Sequence, residues 1–345
     1  MKLIKTLKHK AVILACGALM SIGVSGCESI YDKTQDCDPY FYLRFVYDMN
    51  MDYADAFGPK VNSVEVYVFD AATGEYVAKF RDSGAALKQE GYKMRIDLKP
   101  GNYEFIAWCG LEDNEGHFMV PSDIQKPQDV SCTMARDRDA DGLAIQDKNL
   151  YSLFHGKISA ELPDTPGDHI YTVPLIKDTN NINFSLQDIS GKDLDPERFT
   201  IKFHVNNGAM AYDNTVLDDE MIEVRPYYQA WGSAAVGSKA EVEPVTRHDV
   251  VVAEMSTARL IESHDPYIEV IDNARMETIY QIPLVKWALM LKSDNYSKMG
   301  NQEYLDREDE YNVILYVNGD TNTYMAVVIE INSWRLVLND NEVLH

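Results

Sequence analysis

The feature that most constrains this chain is alternation. Apolar and aromatic side chains recur at every second position in short runs, and Gly, Pro, Asn or Asp closes each run. Val64, Val66 and Val68 share one face of residues 61–69, and Asp70-Ala-Ala-Thr-Gly74 turns the chain into a returning run at 75–80. Met94, Ile96 and Leu98 alternate, Lys99-Pro-Gly-Asn102 turns, and Tyr103, Phe105 and Ala107 alternate again. In the second half Ile201, Phe203 and Val205 share a face, and Asn206-Asn-Gly208 turns. Residues 311–317 and 324–331 flank Asn318-Gly-Asp320, a strong hairpin signal. A period of two buries one face of a sheet and does not fit a helix. Many short strands at regular spacing predict an all-β sandwich or barrel.

Length sets the number of units. The 345 residues are enough for two domains of ordinary size. The reading is therefore two β-sandwich domains in series, 39–178 and 179–345, with a boundary between 175 and 185. Further strands are expected at 40–47, 158–162, 171–177, 183–186, 257–261, 267–271, 279–291 and 334–338. Residues 110–150 are polar and weakly periodic, and read as a long excursion from the first sandwich. Tyr171-Thr-Val-Pro174-Leu-Ile-Lys177 is echoed 109 residues later by Tyr280-Gln-Ile-Pro283-Leu-Val-Lys286. The echo marks either the same strand of duplicated sandwiches or a chance match of common strand residues. Proline inside each run predicts an edge strand or a bulge.

The N-terminus has a different logic. Lys2, Lys5, Lys8 and Lys10 precede a short apolar stretch, residues 11–20, and then Val24-Ser25-Gly26-Cys27. A basic head, an apolar middle too short to span a bilayer and a small-residue exit make a secretion signal over 1–26. Cys directly after Val-Ser-Gly fits a lipobox, so Cys27 is expected to carry the lipid and residues 27–38 to form the tether. One acyl chain holds only marginally, at about 0.8 kcal/mol per methylene, so firm attachment takes two or more. The outer membrane is thus a partner through lipid.

Charge and motifs exclude several functions. The chain has 32 basic and 55 acidic residues. Loss of the four leader lysines leaves 28 against 55, a net charge of −27. Phosphate binding needs clustered Lys and Arg, so nucleic acid is excluded as a partner. The total charge also argues against lying flat on an anionic surface. The eight histidines form no H-E-x-x-H pattern, and neither a G-x-S-x-G elbow nor a Walker-type loop occurs. The chain is read as a non-enzyme. Of the five cysteines, Cys37, Cys109 and Cys132 remain after processing. One disulfide plus a thiol, or three thiols, are both compatible with an oxidising compartment.

Three local patterns are candidate sites. Asp137-Arg-Asp139-Ala-Asp141-Gly142 has the opening of a calcium loop, so Asp137, Asp139 and Asp141 are candidate calcium ligands. The twelfth position is Lys148 rather than a carboxylate, with Asp147 one residue early. Tyr40, Tyr42, Tyr47, Tyr227, Tyr228 and Trp231 are either a glycan-stacking platform or ordinary strand aromatics. Trp334, Leu336 and Leu338 alternate near the free C-terminus and can add to an open sheet edge or complete their own sheet.

Several longer segments carry a resemblance. They are Cys37-Asp-Pro-Tyr-Phe-Tyr-Leu-Arg-Phe-Val-Tyr-Asp48-Met-Asn50, Tyr53-Ala-Asp-Ala-Phe57 and Val61-Asn-Ser-Val-Glu-Val-Tyr-Val-Phe-Asp70. Leu98-Lys-Pro-Gly-Asn-Tyr103, Leu153-Phe-His-Gly156 and Pro174-Leu-Ile-Lys-Asp-Thr-Asn-Asn181 follow, with Ile331-Asn-Ser-Trp334 near the end. Together behind the lipobox they resemble the FimB-type fimbrial anchor family of Bacteroidales. The resemblance implies transthyretin-like sandwiches and an accessory place in type V fimbriae. It also implies attachment to a fimbrial stalk subunit by β-strand addition, with the N-terminal strand retained and the fimbria terminated at the outer membrane. The alternative is a non-polymerising glycan- or protein-binding surface lipoprotein, an adhesin or fimbrial tip.

Overall fold

A computed structural model describes residues 38–236, 246–292, 296–319, 325–332 and 334–337. Strands dominate it. The first half contains β1 (Pro39–Val46), β2 (Ser63–Asp70), β3 (Tyr76–Ser83), β4 (Met94–Ile96), β5 (Gly101–Cys109), β6 (Phe118–Met119), β7 (Cys132–Met134), β8 (Asp137–Arg138), β9 (Ala144–Gln146), β10 (Phe154–Leu162), β11 (Gly167–Pro174) and β12 (Ile176–Lys177). A three-stranded sheet, β11-β1-β4, packs on a five-stranded sheet, β12-β10-β5-β2-β3. Phe41, Leu43 and Phe45 meet Val64, Val66, Val68, Phe105 and Phe154 in the core between them. The predicted valine face is therefore buried in this core.

The second half contains β13 (Thr179–Asp188), β14 (Phe199–Val205), β15 (Ala209–Met210), β16 (Ile222–Val224), β17 (Tyr228–Val236), β18 (Thr246–Ala258), β19 (Tyr267–Asp272), β20 (Glu277–Pro283), β21 (Glu310–Asn318), β22 (Met325–Ile331) and β23 (Trp334–Val337). Two six-stranded sheets, β17-β18-β13-β21-β22-β23 and β20-β19-β14-β16-β9-β8, enclose Phe184, Ile201, Phe203, Val205, Val270 and Val313.

The halves repeat one topology. The first strand of each, β1 or β13, lies between an antiparallel neighbour, β4 or β18, and a parallel one, β11 or β21. In the facing sheets β10-β5-β2-β3 corresponds to β20-β19-β14-β16, with every pair antiparallel. The sequence echo does not follow this correspondence. Tyr171 lies on β11, parallel to the first strand, whereas Tyr280 lies on β20 in the other sheet. Both are nonetheless edge strands that end at proline, where a missing N–H breaks no ladder.

Three expectations change. Residues 279–291 are not one strand: β20 stops at Pro283 and α1 (Leu284–Met290) follows. The run Leu-Val-Lys-Trp-Ala-Leu-Met is too evenly apolar for its period to be read, and Leu, Ala and Met favour a helix. The strand expected at 257–261 overlaps only the last two residues of the much longer β18, and 259–261 lie beyond it. The polar excursion carries structure of its own. Its Phe118, Ile124, Val130 and Leu150 cover Tyr67, Phe69, Ile106 and Trp108 on the outer side of the five-stranded sheet, so β2 is buried on both faces. Further on, β9 pairs in parallel with β16, so residues before 178 extend a sheet whose other strands lie beyond it.

Candidate functional site

Three features decide what the fold can hold and transmit. The first is the placement of β1. Its outward neighbours are β4 on one side and β11 along its whole length on the other, so it is internal to its sheet. Alternate residues Phe41, Leu43 and Phe45 are buried. Removing it would expose three large side chains and two strand edges. Burying such side chains stabilises by about 1.5–3 kcal/mol each.

The second feature is a charged junction around residues 177–181, where a short polar run is buried rather than solvated. Lys177, Asp178, Thr179 and Asn180 are all inaccessible. Lys177 pairs with Asp309. The Asp178 N–H donates to Leu153 O at 2.7 Å, and Thr179 Oγ1 accepts from Leu153 N at 3.2 Å. The Asn180 amide donates to Ala258 O at 3.3 Å, and Asn181 N–H donates to Asp309 O at 2.9 Å. Asp178 is fully buried, with Arg259 Nε 4.0 Å away. Arg259 itself donates both Nε and Nη2 to Asp306 at 2.8 Å, on α2 (Asn301–Arg307). Neither Asp178 oxygen closes a hydrogen bond of normal geometry. Burial pushes its carboxyl up to about 7, while Arg259 and the nearby Asn214 amide oppose that rise. Burial likewise raises Glu308 to about 7 and lowers His155 to about 4. From the same helix, Arg307 Nη1 donates to Asp48 O at 2.9 Å and Asn50 O at 3.1 Å, just past β1.

The third feature is the C-terminal edge. β23 pairs antiparallel with β22, Ile331 opposite Trp334 and Ile329 opposite Leu336. Asn332 turns the chain at φ +46°, a left-handed conformation that two-residue hairpins require and asparagine tolerates. Its side-chain oxygen accepts from Asn312 N at 2.8 Å, and its N–H donates back to Asn312 O at 2.9 Å. The backbone of β23 thus completes its own sheet and, among the described residues, forms its outer edge. Leu338 lies outside the described residues.

The sequence profile of the fimbrillin-A associated anchor proteins Mfa1 and Mfa2 matches residues 34–340. The chain belongs to this family. Its fold is similar to that of a candidate adhesin from Bacteroides thetaiotaomicron, at 33% identity and TM-score 0.75, over 88% of this chain and 99% of that one. A candidate polysaccharide-binding protein from the same organism is 28% identical with TM-score 0.71, over 88% and 99%. The fimbrial anchor protein Mfa2 of Porphyromonas gingivalis shares the fold at 18% identity and TM-score 0.64, over 88% and 100%. No curated protein matches the chain by sequence. The family is of fimbrial anchor and adhesin type, which places this member among the accessory proteins of cell-surface fimbriae. Among the described residues no helix is long and apolar enough to cross a membrane.

The other predicted sites of this anchor-family member fall as follows. Cys27, with the leader and most of the tether, lies outside the described residues, as does Cys37. Cys109 and Cys132 are buried free thiols, each pushed up by burial. Asp137, Asp139 and Asp141 surround the β8–β9 hairpin. Asp139 Oδ1 accepts from Asp141 N at 3.0 Å and Leu143 N at 2.9 Å, and Gly142 supplies the turn at φ +82°. Asp137 lies 3.9 Å from Lys148, and Asp139 lies 3.7 Å from Arg225. Among the described residues no three His, Cys, Asp or Glu side chains gather in a metal-holding group, these three included. The aromatic candidates do not form one platform: Tyr47 is buried edge-on against Phe154, Tyr40 and Tyr42 face outward on β1, and Tyr228 and Trp231 lie on β17. A groove of ≈ 810 Å³ runs beside β3, lined by Glu65, Tyr67, Tyr76, Lys79, Phe118 and Ile124.

Sequence reasoning missed the junction. Lys177-Asp-Thr-Asn-Asn181 reads locally as a linker, because polarity signals a turn and says nothing about burial. The available signal was that run of five polar residues flanked by strand on both sides.

Proposed function

We propose that this protein is a lipid-tethered fimbrial subunit that anchors and terminates a type V fimbria at the outer membrane. The observation that carries the reading is β1, which leads out of the tether and is internal to its sheet. Load from a fimbria enters the second sandwich, crosses the junction at 177–181 and reaches Cys27 through a strand that cannot leave without opening the first core. The family match and the Val-Ser-Gly-Cys exit support the same reading. The stalk subunit attaches by strand addition along the outer edge of β23, near Trp334, Leu336 and Leu338. Main-chain hydrogen bonds supply affinity there and alternate side chains set register.

Two variants test it. Cys27→Ala should lose acylation and leave the protein unprocessed or released. If the processed variant still partitions with the outer membrane, the lipid reading is wrong. Deleting residues 334–345 should leave a folded, membrane-held anchor that sheds fimbriae into the medium. Normal retention of fimbriae by that truncation removes the C-terminal edge as the attachment point.

A second reading has its own support. The groove beside β3 is of ligand size and mixes aromatic walls with charged groups, and one relative is a candidate polysaccharide-binding protein. Under that reading the protein is a glycan-binding adhesin. Glycan-array binding abolished by Tyr76→Ala, with fimbriae unaffected by the loss of this protein, would favour it.

A further inference from the structure

The outward face of the three-stranded sheet differs from the rest of the molecule. Alternation on β1 sends Phe41, Leu43 and Phe45 inward and leaves Tyr40, Tyr42 and Arg44 outside. Register sets Tyr42 between Arg95 on β4 and Ile170 on β11. The Arg95 guanidinium lies 4.7 Å from the Tyr40 ring centre, and the Lys93 ammonium 4.3 Å from that of Tyr42. Ile170 is 52% exposed, an unusual position for a β-branched residue in a paired strand. Beside it opens a depression of ≈ 450 Å³ whose lining includes Arg44, Lys88, Lys93 and Ile170.

Both signs of charge meet on this face. Arg44 and Lys93 line the depression together with Asp55 and Glu90, and the Lys88 ammonium is held by Val61 O at 2.9 Å. Two of its ion pairs are long, Lys93 to Asp168 at 3.7 Å and Arg44 to Asp55 at 4.0 Å. Those side chains can swing to another anion at little cost, since exposed pairs are worth at most about 1 kcal/mol.

We propose that this face lies against the phosphate-bearing headgroup layer of the membrane that holds the lipid. The inference rests on acylation of Cys27. Cys27 is twelve residues before Pro39, so the chain from lipid to sheet spans at most ~40 Å. β1 itself leads out of that segment and forms the middle of the face. The tether thus holds the face at high local concentration over the headgroups. Tyrosine favours the membrane–water interface, Ile170 contributes apolar area, and Lys and Arg reach phosphate from an apolar stem. The acidic total does not oppose this docking. Charges more than about 8–10 Å from the surface are screened at physiological salt, and only the facing residues contribute.

The test separates the face from the lipid. The mature chain with Cys27→Ser, leader removed, is sedimented with vesicles of phosphatidylcholine alone and with added phosphatidylglycerol. It should bind both, and the anionic vesicles no more tightly, because the face carries acids as well as Lys and Arg. Lys93→Glu with Arg95→Glu should weaken anionic-vesicle binding about tenfold or more. Tyr42→Ser with Ile170→Ser should weaken binding to both. Lys286→Glu with Arg275→Glu, on the second sandwich, should change nothing. Unchanged thermal unfolding shows that each variant is folded. No vesicle binding by the unlipidated chain, or equal binding by all variants, overturns the proposal while leaving acylation untouched. Conversely, wild-type protein that takes up no fatty-acyl label in cells removes the lipid reading on which the docking rests. Binding that follows glycan content rather than phosphate would assign the face to a sugar and overturn the membrane assignment.

Discussion

Asp178→Asn should make the protein more stable at alkaline pH and nearly unchanged at pH 4. The carboxyl is completely buried, accepts no hydrogen bond of normal geometry, and its nearest cation, Arg259, is committed to Asp306. Burial raises it from its ordinary 3.8 to about 7. Between those values the folded state holds a proton that the unfolded state has released. Stability therefore falls as pH rises from about 4 to about 7, and stays low above that. A carboxyl held at about 7 in the folded state instead of 3.8 carries a penalty of about 4 kcal/mol once ionised, fully developed near pH 8. Asparagine keeps the shape and removes the charge, and it leaves the Arg259–Asp306 pair in place. Other groups also tilt the wild-type curve. Glu308, raised to about 7, acts in the same direction, and His155, lowered to about 4, acts in the opposite one. The difference between variant and wild type cancels both. Urea unfolding at pH 4.5, 6, 7 and 8 measures it. A difference that does not grow with pH, or wild type more stable than the variant at pH 8, would refute a buried, uncompensated Asp178.

Two more substitutions probe the frame. Gly110→Ala should lower the free energy of unfolding in urea by about 3 kcal/mol or more, because Gly110 has φ +89° and a Cβ there would sit 2.1 Å from Ser152 O; a wild-type value would show that the strand end relaxes freely. Asp139→Ala should cost about 1 kcal/mol through its two lost turn hydrogen bonds, and millimolar calcium should leave both proteins unmoved. A calcium-dependent rise in wild-type stability that the variant lacks would instead assign Asp137, Asp139 and Asp141 to a cation.

The sequence by itself determined the all-β class and the inward faces of the longer strands. Val64, Val66 and Val68 and Ile201, Phe203 and Val205 are readable because a strand's side chains alternate whatever lies across the sheet. The leader and lipobox expected before and at Cys27 are linear patterns, so reading them needs no fold. The family segments carried the fimbrial assignment in the same local way. Tertiary structure alone decided where strands went. Periodicity cannot say that β9 crosses to pair with β16, nor that the polar run at 177–180 is buried, because both depend on partners far away in the chain. The same limit applies to charge. A total of −23 describes the whole chain, and only the folded register of β1, β4 and β11 gathers Tyr40, Tyr42, Lys93, Arg95 and Ile170 onto one face.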